Sequence, residues 1–505
     1  MAAPMIWDEP TKSESNRITI DPITRLEGHG QIEIFLDDNG NVANAYFQTP
    51  ELRGFERFCI GRRVTEMNQL TARLCGVCPG AHHMAASKAA DGCYNTKPTD
   101  TAFMIRDLFY GAHFVHSHIA HFYALASADF VLGPSSPAAT RNVLGVVGAV
   151  GLELGSAVVK ARAYAQRIQA IIGGKATHPV MGVPGGVSKA ISKEEQADIL
   201  SMTEYMLSFA QTSIKVLEDV VLANKDYVDI IANPDIFYSE TYYMGMVNGK
   251  NQVEFHDGPI RVVDQKGAEF AKYDANDYLD HIAEAVEPWS YQKFPYLKNV
   301  GYKGMVDGPD SGMYRATPLS RLNAADGMKT PLAQEEYDKF FGLFKSLGVE
   351  GPVHHTLATH WARLIELLYA AELCHDLAQN PDLTTGDIKH HELTPGGVGI
   401  GCVEAPRGTL THHYVSDENG IVTDCNLVVG TTNNNGPMNI SVAKAAKALI
   451  KDGMVSPGLL NMVEMAFRAY DPCNSCATHS LPGQMPLRAV IRDADGEIYK
   501  TFSRN

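Results

Sequence analysis

Two short motifs hold the residue types from which a metal centre can be built. Near the end of the chain, Asp471-Pro472-Cys473-Asn474-Ser475-Cys476-Ala477-Thr478-His479 sets two cysteines three apart with a histidine three further on. In the first fifth, Cys75-Gly76-Val77-Cys78 is followed by Pro79-Gly80-Ala81-His82. A tight C-x-x-C turn aims both sulfurs at one ion, so the two pairs together supply four thiolates, a donor set for soft metals. Two readings stand: a closed structural zinc site, the usual meaning of paired C-x-x-C motifs, or an open centre of late transition metals. Zinc pairs usually lie within tens of residues of each other, whereas these stand at opposite ends of the chain. Each knuckle also carries a histidine placed to act on a sulfur or on a second metal. Both features weigh against zinc.

Ligands at both ends make the 505 residues one large interlocked unit, where length alone would predict three or so domains. The expected fold is mainly α with a peripheral α+β part: a central bundle of long helices, a small N-terminal β-meander and C-terminal β segments around a buried dinuclear site. Its segments are 1–60 for the meander, 61–228 for the first knuckle and bundle, 229–330 for the α+β elaboration, 331–479 for a helix, strands and the second knuckle, and 480–505 for a C-terminal extension.

Apolar and polar residues alternate over 17–21 and 31–35, and Asp37-Asp38-Asn39-Gly40 turns the chain into 42–47. Glu27 sits at a bend marked by Gly28 and Gly30, and Glu56 opens a helix. Helical periodicity predicts helices over 85–92, 102–131, 138–172, 193–222 and 355–378. In the third of these, Gly145, Gly148, Gly151 and Gly155 point to close helix packing. His113, His116, His118 and His121 read as satisfied residues of a bundle helix and not as a second metal site. Strands are expected over 252–255, 260–264, 269–273, 396–414 and 420–429. A last helix runs to Tyr470, where Pro472 stops it. The extension alternates like two strands over 487–491 and 497–502.

With 45% hydrophobic and 20% charged residues there is ample material for a core, and a net charge of -15 argues against a nucleic-acid groove or an anionic membrane surface. No signal peptide or membrane span is legible, which favours the cytoplasm. Of nine cysteines, Cys59, Cys93, Cys374, Cys402 and Cys425 stand alone, without iron-sulfur spacing, as buried small hydrophobes. Electron-transfer clusters are therefore expected on another chain.

R-x-C-G-x-C-x-x-x-H (Arg73 to His82) with D-P-C-x-x-C-x-x-H (Asp471 to His479) resembles the paired signature of the large subunit of [NiFe] hydrogenases. R-L-E-G-H-G at Arg25, R-G-F-E at Arg53, H-P-x-x-x-V-P-G-G at His178 and E-A-P-R-G at Glu404 follow in the family's order. The resemblance implies that Cys75 and Cys473 are terminal nickel ligands, and that Cys78 and Cys476 bridge nickel to an iron carrying carbon monoxide and cyanide. It implies heterolytic cleavage of dihydrogen, with the proton taken by Cys473 and passed to Glu27, and with Arg407 over the open face of the metals as, or assisting, the base. His82 would hydrogen-bond a cysteine sulfur and Thr431 a diatomic ligand. Glu56, the Leu427 carbonyl and His479 would hold magnesium or a second iron near the C-terminus. Two positions depart from the pattern of many relatives: Ser117 stands where they have aspartate, and Gly430 where they have proline.

By the same resemblance an iron-sulfur small subunit receives the electrons, and a maturation peptidase removes everything after His479 once nickel is in place. Cys78-Pro79-Gly80-Ala81-His82-His83 and Pro318-Leu319-Ser320-Arg321 are most similar to cytoplasmic enzymes that do not reduce deazaflavin and that associate with heterodisulfide reductase, with a further electron-transfer subunit. The alternatives are an NAD(P)-linked cytoplasmic hydrogenase or, in another class, a non-catalytic four-cysteine zinc scaffold.

Overall fold

The computed structural model describes residues 8–51, 53–478, 487–492 and 498–504. The N-terminal alternation forms an antiparallel meander of β1 (Arg17–Ile20), β2 (Gln31–Leu36) and β3 (Val42–Gln48). It buries Ile18, Ile32, Ile34 and Phe47. Helix α1 (Phe55–Cys59) follows. The first knuckle then leads into α2 (Pro79–Cys93), with Cys78 at its N-cap and Pro79 at its first position, where a missing N–H costs nothing.

The bundle is built from α3 (Asp100–Ile119), capped by the Thr99 hydroxyl, and three further helices. Beyond Ile119 the chain widens into π turns over Ala120–Ala126, which the hydrophobic period did not reveal. The expected helix over 138–172 is broken into α4 (Val143–Val150) and α5 (Leu152–Gly173). Gly151 at φ 91° makes the break, because that conformation cannot continue a helix. The glycines do not all serve close packing as expected: a side chain at Gly148 or Gly151 would meet nothing within 4 Å, whereas Gly145 lies against the Thr140 carbonyl and Gly155 approaches Val147 of α4. Helix α6 (Lys193–Leu217) starts at a capping box of Ser192 and Glu195.

The elaboration contains a four-stranded sheet, a separate hairpin of Ile282–Val286 with Lys293–Leu297, and short helices. β4 (Tyr242–Met246), β5 (Ile260–Val263) and β6 (Glu269–Tyr273) run antiparallel, and β7 (Tyr314–Arg315) adds in parallel beside β4. Residues 252–255 are not a strand. They follow a left-handed turn at Asn251 and make only isolated bridges, with Val253 N–H donating to Gly327 O and Glu254 N–H to Met246 O.

Helix α7 (Thr359–Gln379) returns to the bundle. The stretch 396–414 is two strands where one was expected: β8 (Gly397–Ala405) and β9 (Gly408–Ser416) fold back at Pro406-Arg407, and β10 (Val422–Val428) completes the sheet. Proline has no N–H for a ladder, so the chain turns there. Helix α2 lies directly on β8, since a Cβ at Gly399 or Gly401 would collide with the Ala89 and Ala85 carbonyl oxygens. Helix α8 (Pro457–Arg468) ends before Tyr470, because Asp471 at φ 55° already turns the chain into the second knuckle, α9 (Asn474–Ala477). In the extension Leu487–Arg492 pairs antiparallel with Ile498–Arg504, as the alternation predicts. One apolar core takes in residues from Ile18 to Cys476, including all four knuckle cysteines. Among the described residues no helix is long and apolar enough to cross a membrane.

Candidate metal centre

The folding of the two ends onto each other brings Cys75, Cys78, Cys473 and Cys476 together, all buried, with every sulfur within 4.8 Å of the others. Cys75 Sγ is 3.1 Å from Cys473 Sγ, Cys78 Sγ 3.4 Å from Cys476 Sγ, and Cys473 Sγ 2.8 Å from Cys476 Sγ. All nine cysteines are free. Four soft donors converging on one point without a disulfide form a donor set that fits soft transition metals.

Each knuckle is held from outside. Arg53 donates both to the Leu74 carbonyl at the first knuckle and to the Ser475 carbonyl at the second, and its backbone N–H donates to Thr478 O at 2.7 Å. Cys75 Sγ accepts the N–H groups of Val77 and Cys78 at 3.2 and 3.1 Å. The Cys473 N–H donates to Thr431 Oγ1 at 3.0 Å, so Thr431 fixes the second knuckle by its oxygen and keeps its hydroxyl proton for another acceptor. A small cavity beside Cys78 and Cys476 is lined by Ala81, His82, Leu410, Gly430 and Thr431.

Glu27 reaches the cluster because residues 27–29 run alongside the second knuckle. Its N–H donates to Pro472 O, Asn474 N–H donates to Glu27 O at 3.0 Å, and Asn474 Nδ2 donates to His29 O at 2.8 Å. Glu27 Oε2 then accepts from Ser475 N at 3.1 Å and from Cys473 Sγ at 2.9 Å. Gly28, at φ 81°, is required there, since a Cβ would stand 2.9 Å from Ser475 N.

Arg407, at the β8–β9 turn, is buried. Its Nη1 donates to Ser117 Oγ at 3.1 Å and its Nη2 meets the Asp471 carboxylate at 3.0 Å. Burial opposes its charge, but Asp471 and the sulfurs of Cys78, Cys473 and Cys75 outweigh that and raise its pKa. The serine at position 117 therefore leaves Asp471 as the carboxylate in contact with this guanidinium, and a neutral oxygen takes the second N–H.

The sulfurs are unequal. Burial works against ionisation at Cys75, yet hydrogen bonds from the other three thiols and the charge of Arg407 hold it well below the ordinary thiol range. Burial pushes Cys473 well above that range.

His82 Nε2 lies 3.5 Å from Cys476 Sγ. Glu56 and Leu427 form a second locus: Leu427 N–H donates to Glu56 Oε1 at 3.0 Å, and Lys293 Nζ stands 3.6 Å from that oxygen and 3.1 Å from Glu284 Oε2. Glu56 and Glu284 thus share the Lys293 ammonium, and Leu427 meets Glu56 through its N–H and not through the carbonyl expected as a ligand. His479 lies outside the described residues. Of the four bundle histidines, His116 accepts from Arg162, His118 pairs with Glu366 and His121 bonds to Arg468 O, while the His113 ring stacks parallel to that of Tyr110. Sequence reading missed the clamp role of Arg53, although R-G-F-E was noticed. It also missed His412 and Tyr414, which stand behind His82 and whose only signal was their spacing of two on a strand.

The family profile described as nickel-dependent hydrogenase matches residues 53–140 and 157–479, and a HoxL-like profile matches 17–52. A protein of Archaeoglobus profundus, named as an iron-sulfur subunit of an F420-non-reducing hydrogenase, is 45% identical, over 96% of this chain and 99% of its own. An F420-non-reducing hydrogenase subunit of Methanothermobacter thermautotrophicus is 39% identical, over 96% and 99%. The HoxS subunit beta of the NAD-reducing hydrogenase of Cupriavidus necator is 38% identical, over 97% and 100%. Among solved structures, an NAD+-reducing [NiFe]-hydrogenase in the H2-reduced state superposes with a TM-score of 0.85 at 38% identity, over 92% of this chain and 100% of its own.

Proposed function

Because the chain belongs to the nickel-dependent hydrogenases and is the catalytic large subunit of a [NiFe] hydrogenase, we propose how its residues divide the work of splitting dihydrogen. Cys75 and Cys473 would hold nickel, and Cys78 and Cys476 would serve both nickel and an iron carrying carbon monoxide and cyanide. When bound, the two metals would supply the Lewis acidity that lets dihydrogen part into a proton and a hydride, two protons and two electrons in all.

Cys473 receives the proton at Sγ, and Glu27 takes it from there at Oε2. The 2.9 Å approach of these two atoms is the observation that carries this reading. Donor and acceptor stand within transfer distance without rearrangement. Arg407 faces the thiolates with a fixed positive charge and assists the base without being it; Asp471 and Ser117 hold its fork in place. Thr431, which lines the adjoining cavity, would offer its hydroxyl proton to a diatomic ligand. Glu56, Leu427 and His479 hold magnesium or a second iron.

Electrons leave to an iron-sulfur small subunit. The F420-non-reducing names of the more similar relatives support an enzyme of that type, with a further electron-transfer subunit and heterodisulfide reductase as partners, in the cytoplasm. A peptidase removes the residues after His479 during maturation. Elemental analysis with an infrared spectrum tests the site: nickel, iron and metal-bound carbon monoxide and cyanide bands are expected, and zinc without such bands rejects it.

A further inference from the structure

Tyr414, His412 and His82 form a line of hydrogen bonds that ends on Cys476. The Tyr414 hydroxyl is 2.6 Å from His412 Nδ1, His412 Nε2 is 3.1 Å from His82 Nδ1, and His82 Nε2 is 3.5 Å from Cys476 Sγ. All four residues are buried. The line follows from the fold. His412 and Tyr414 are two apart on β9, so their side chains leave the same face. Helix α2, which carries His82 in its first turn, is drawn onto the adjacent β8 by Gly399 and Gly401.

A neutral imidazole has one N–H and one lone pair, so the sense of the whole line is set at its end. A thiolate ligand can only accept. His82 must therefore present Nε2–H to Cys476, which leaves Nδ1 as a lone pair. That lone pair takes the Nε2–H of His412, whose Nδ1 in turn takes the Tyr414 proton. Reversing any one bond would set two lone pairs or two protons against each other, at a cost that buried polar groups do not tolerate.

We propose that His412 and Tyr414 are positioning residues for the bridging sulfur: they fix both imidazoles as the Nε2–H tautomer and hold the His82 N–H on Cys476. This rests on the reading of Cys476 as a thiolate ligand. A hydrogen bond on a metal thiolate withdraws electron density from the metal it serves. The carbon monoxide stretching band of the loaded enzyme therefore reports the line directly, apart from activity.

The test uses the complete enzyme with its small subunit. With histidine labelled with nitrogen-15, the resonances lost in His82→Gln and His412→Gln identify the two rings, and both are expected as Nε2–H; Nδ1–H on either overturns the proposal. Tyr414→Phe and His412→Leu, loaded with nickel and iron, are expected to move the carbon monoxide band to lower frequency and to lower kcat about tenfold at unchanged KM. His412→Gln, whose amide carbonyl and N–H stand in for the two ring nitrogens, should leave the band in place. A stationary band in Tyr414→Phe, which deletes one oxygen atom, or equal shifts in the Gln and Leu variants, overturns the proposal. A parent enzyme with no such band rejects the metal assignment itself.

Discussion

Glu27 Oε2 and Cys473 Sγ stand 2.9 Å apart although 446 positions of chain separate them. The backbone around them is zipped together, so the contact is a property of two paired segments and not of one flexible carboxylate. Glu27→Gln keeps the shape and the bond from Ser475 but cannot carry a proton. Proton/deuterium exchange into solvent is expected to fall by about 100-fold or more, while ortho/para conversion of dihydrogen persists. Exchange at the parental rate would move the relay elsewhere.

Cys75→Ser and Cys473→Ser each remove one of four converging sulfurs. Both variants are expected to lose dihydrogen oxidation while circular dichroism and the melting temperature stay near the parent's. Substantial turnover by a nickel-loaded Cys473→Ser protein would reject the role given to that sulfur.

Arg407 uses both arms of its fork, one on Ser117 and one on Asp471. A lysine keeps the charge but cannot span two partners in one plane. For Arg407→Lys with unchanged nickel content, kcat should fall about 100-fold. An unaltered kcat would mean that charge alone matters.

His83 is locked neutral: Gly182 N–H donates to its Nε2 at 2.9 Å, and its Nδ1 is 3.2 Å from Asn68 O. Burial lowers its pKa from 6.5 to about 4. The unfolded chain takes up a proton that the folded ring refuses, so this stability is whole above about pH 6.5 and is lost as the pH falls toward 4. The loss is on the order of 3 kcal/mol at this one site. His83→Gln, which keeps a donor and an acceptor, should make the melting temperature fall less steeply between about pH 6.5 and 4, the other buried histidines supplying the slope that remains. Parallel curves for variant and parent would reject the assignment.

If the extension is a maturation device, active nickel-containing protein ends at His479. Intact-mass measurement on the purified active subunit decides this, and a full-length mass with full activity rejects cleavage.

The architecture was legible where one period ran unbroken. The meander announced itself by alternation, the bundle by helical spacing, and the sulfurs by C-x-x-C. What escaped were features set by space and not by pattern. Gly151 broke a helix that its apolar neighbours advertised, and Pro406-Arg407 folded one apparent strand into two. Gly399 and Gly401 are what lets α2 touch the sheet. His412 and Tyr414 were invisible for the same reason: a histidine two residues from a tyrosine means nothing until a helix 330 positions away is laid against it.

The pairing of residues 27–29 with the second knuckle also bears on biosynthesis. Asn474 can find Glu27 and His29 only after nearly the whole polypeptide has left the ribosome, so the nascent chain carries half a nest of sulfurs until its last tenth arrives. The docking that delivers Cys473 and Cys476 is the same event that seats the carboxylate beside them. In the folded chain the sulfur cage and the Glu27 carboxylate are thus joined in one contact between the two ends.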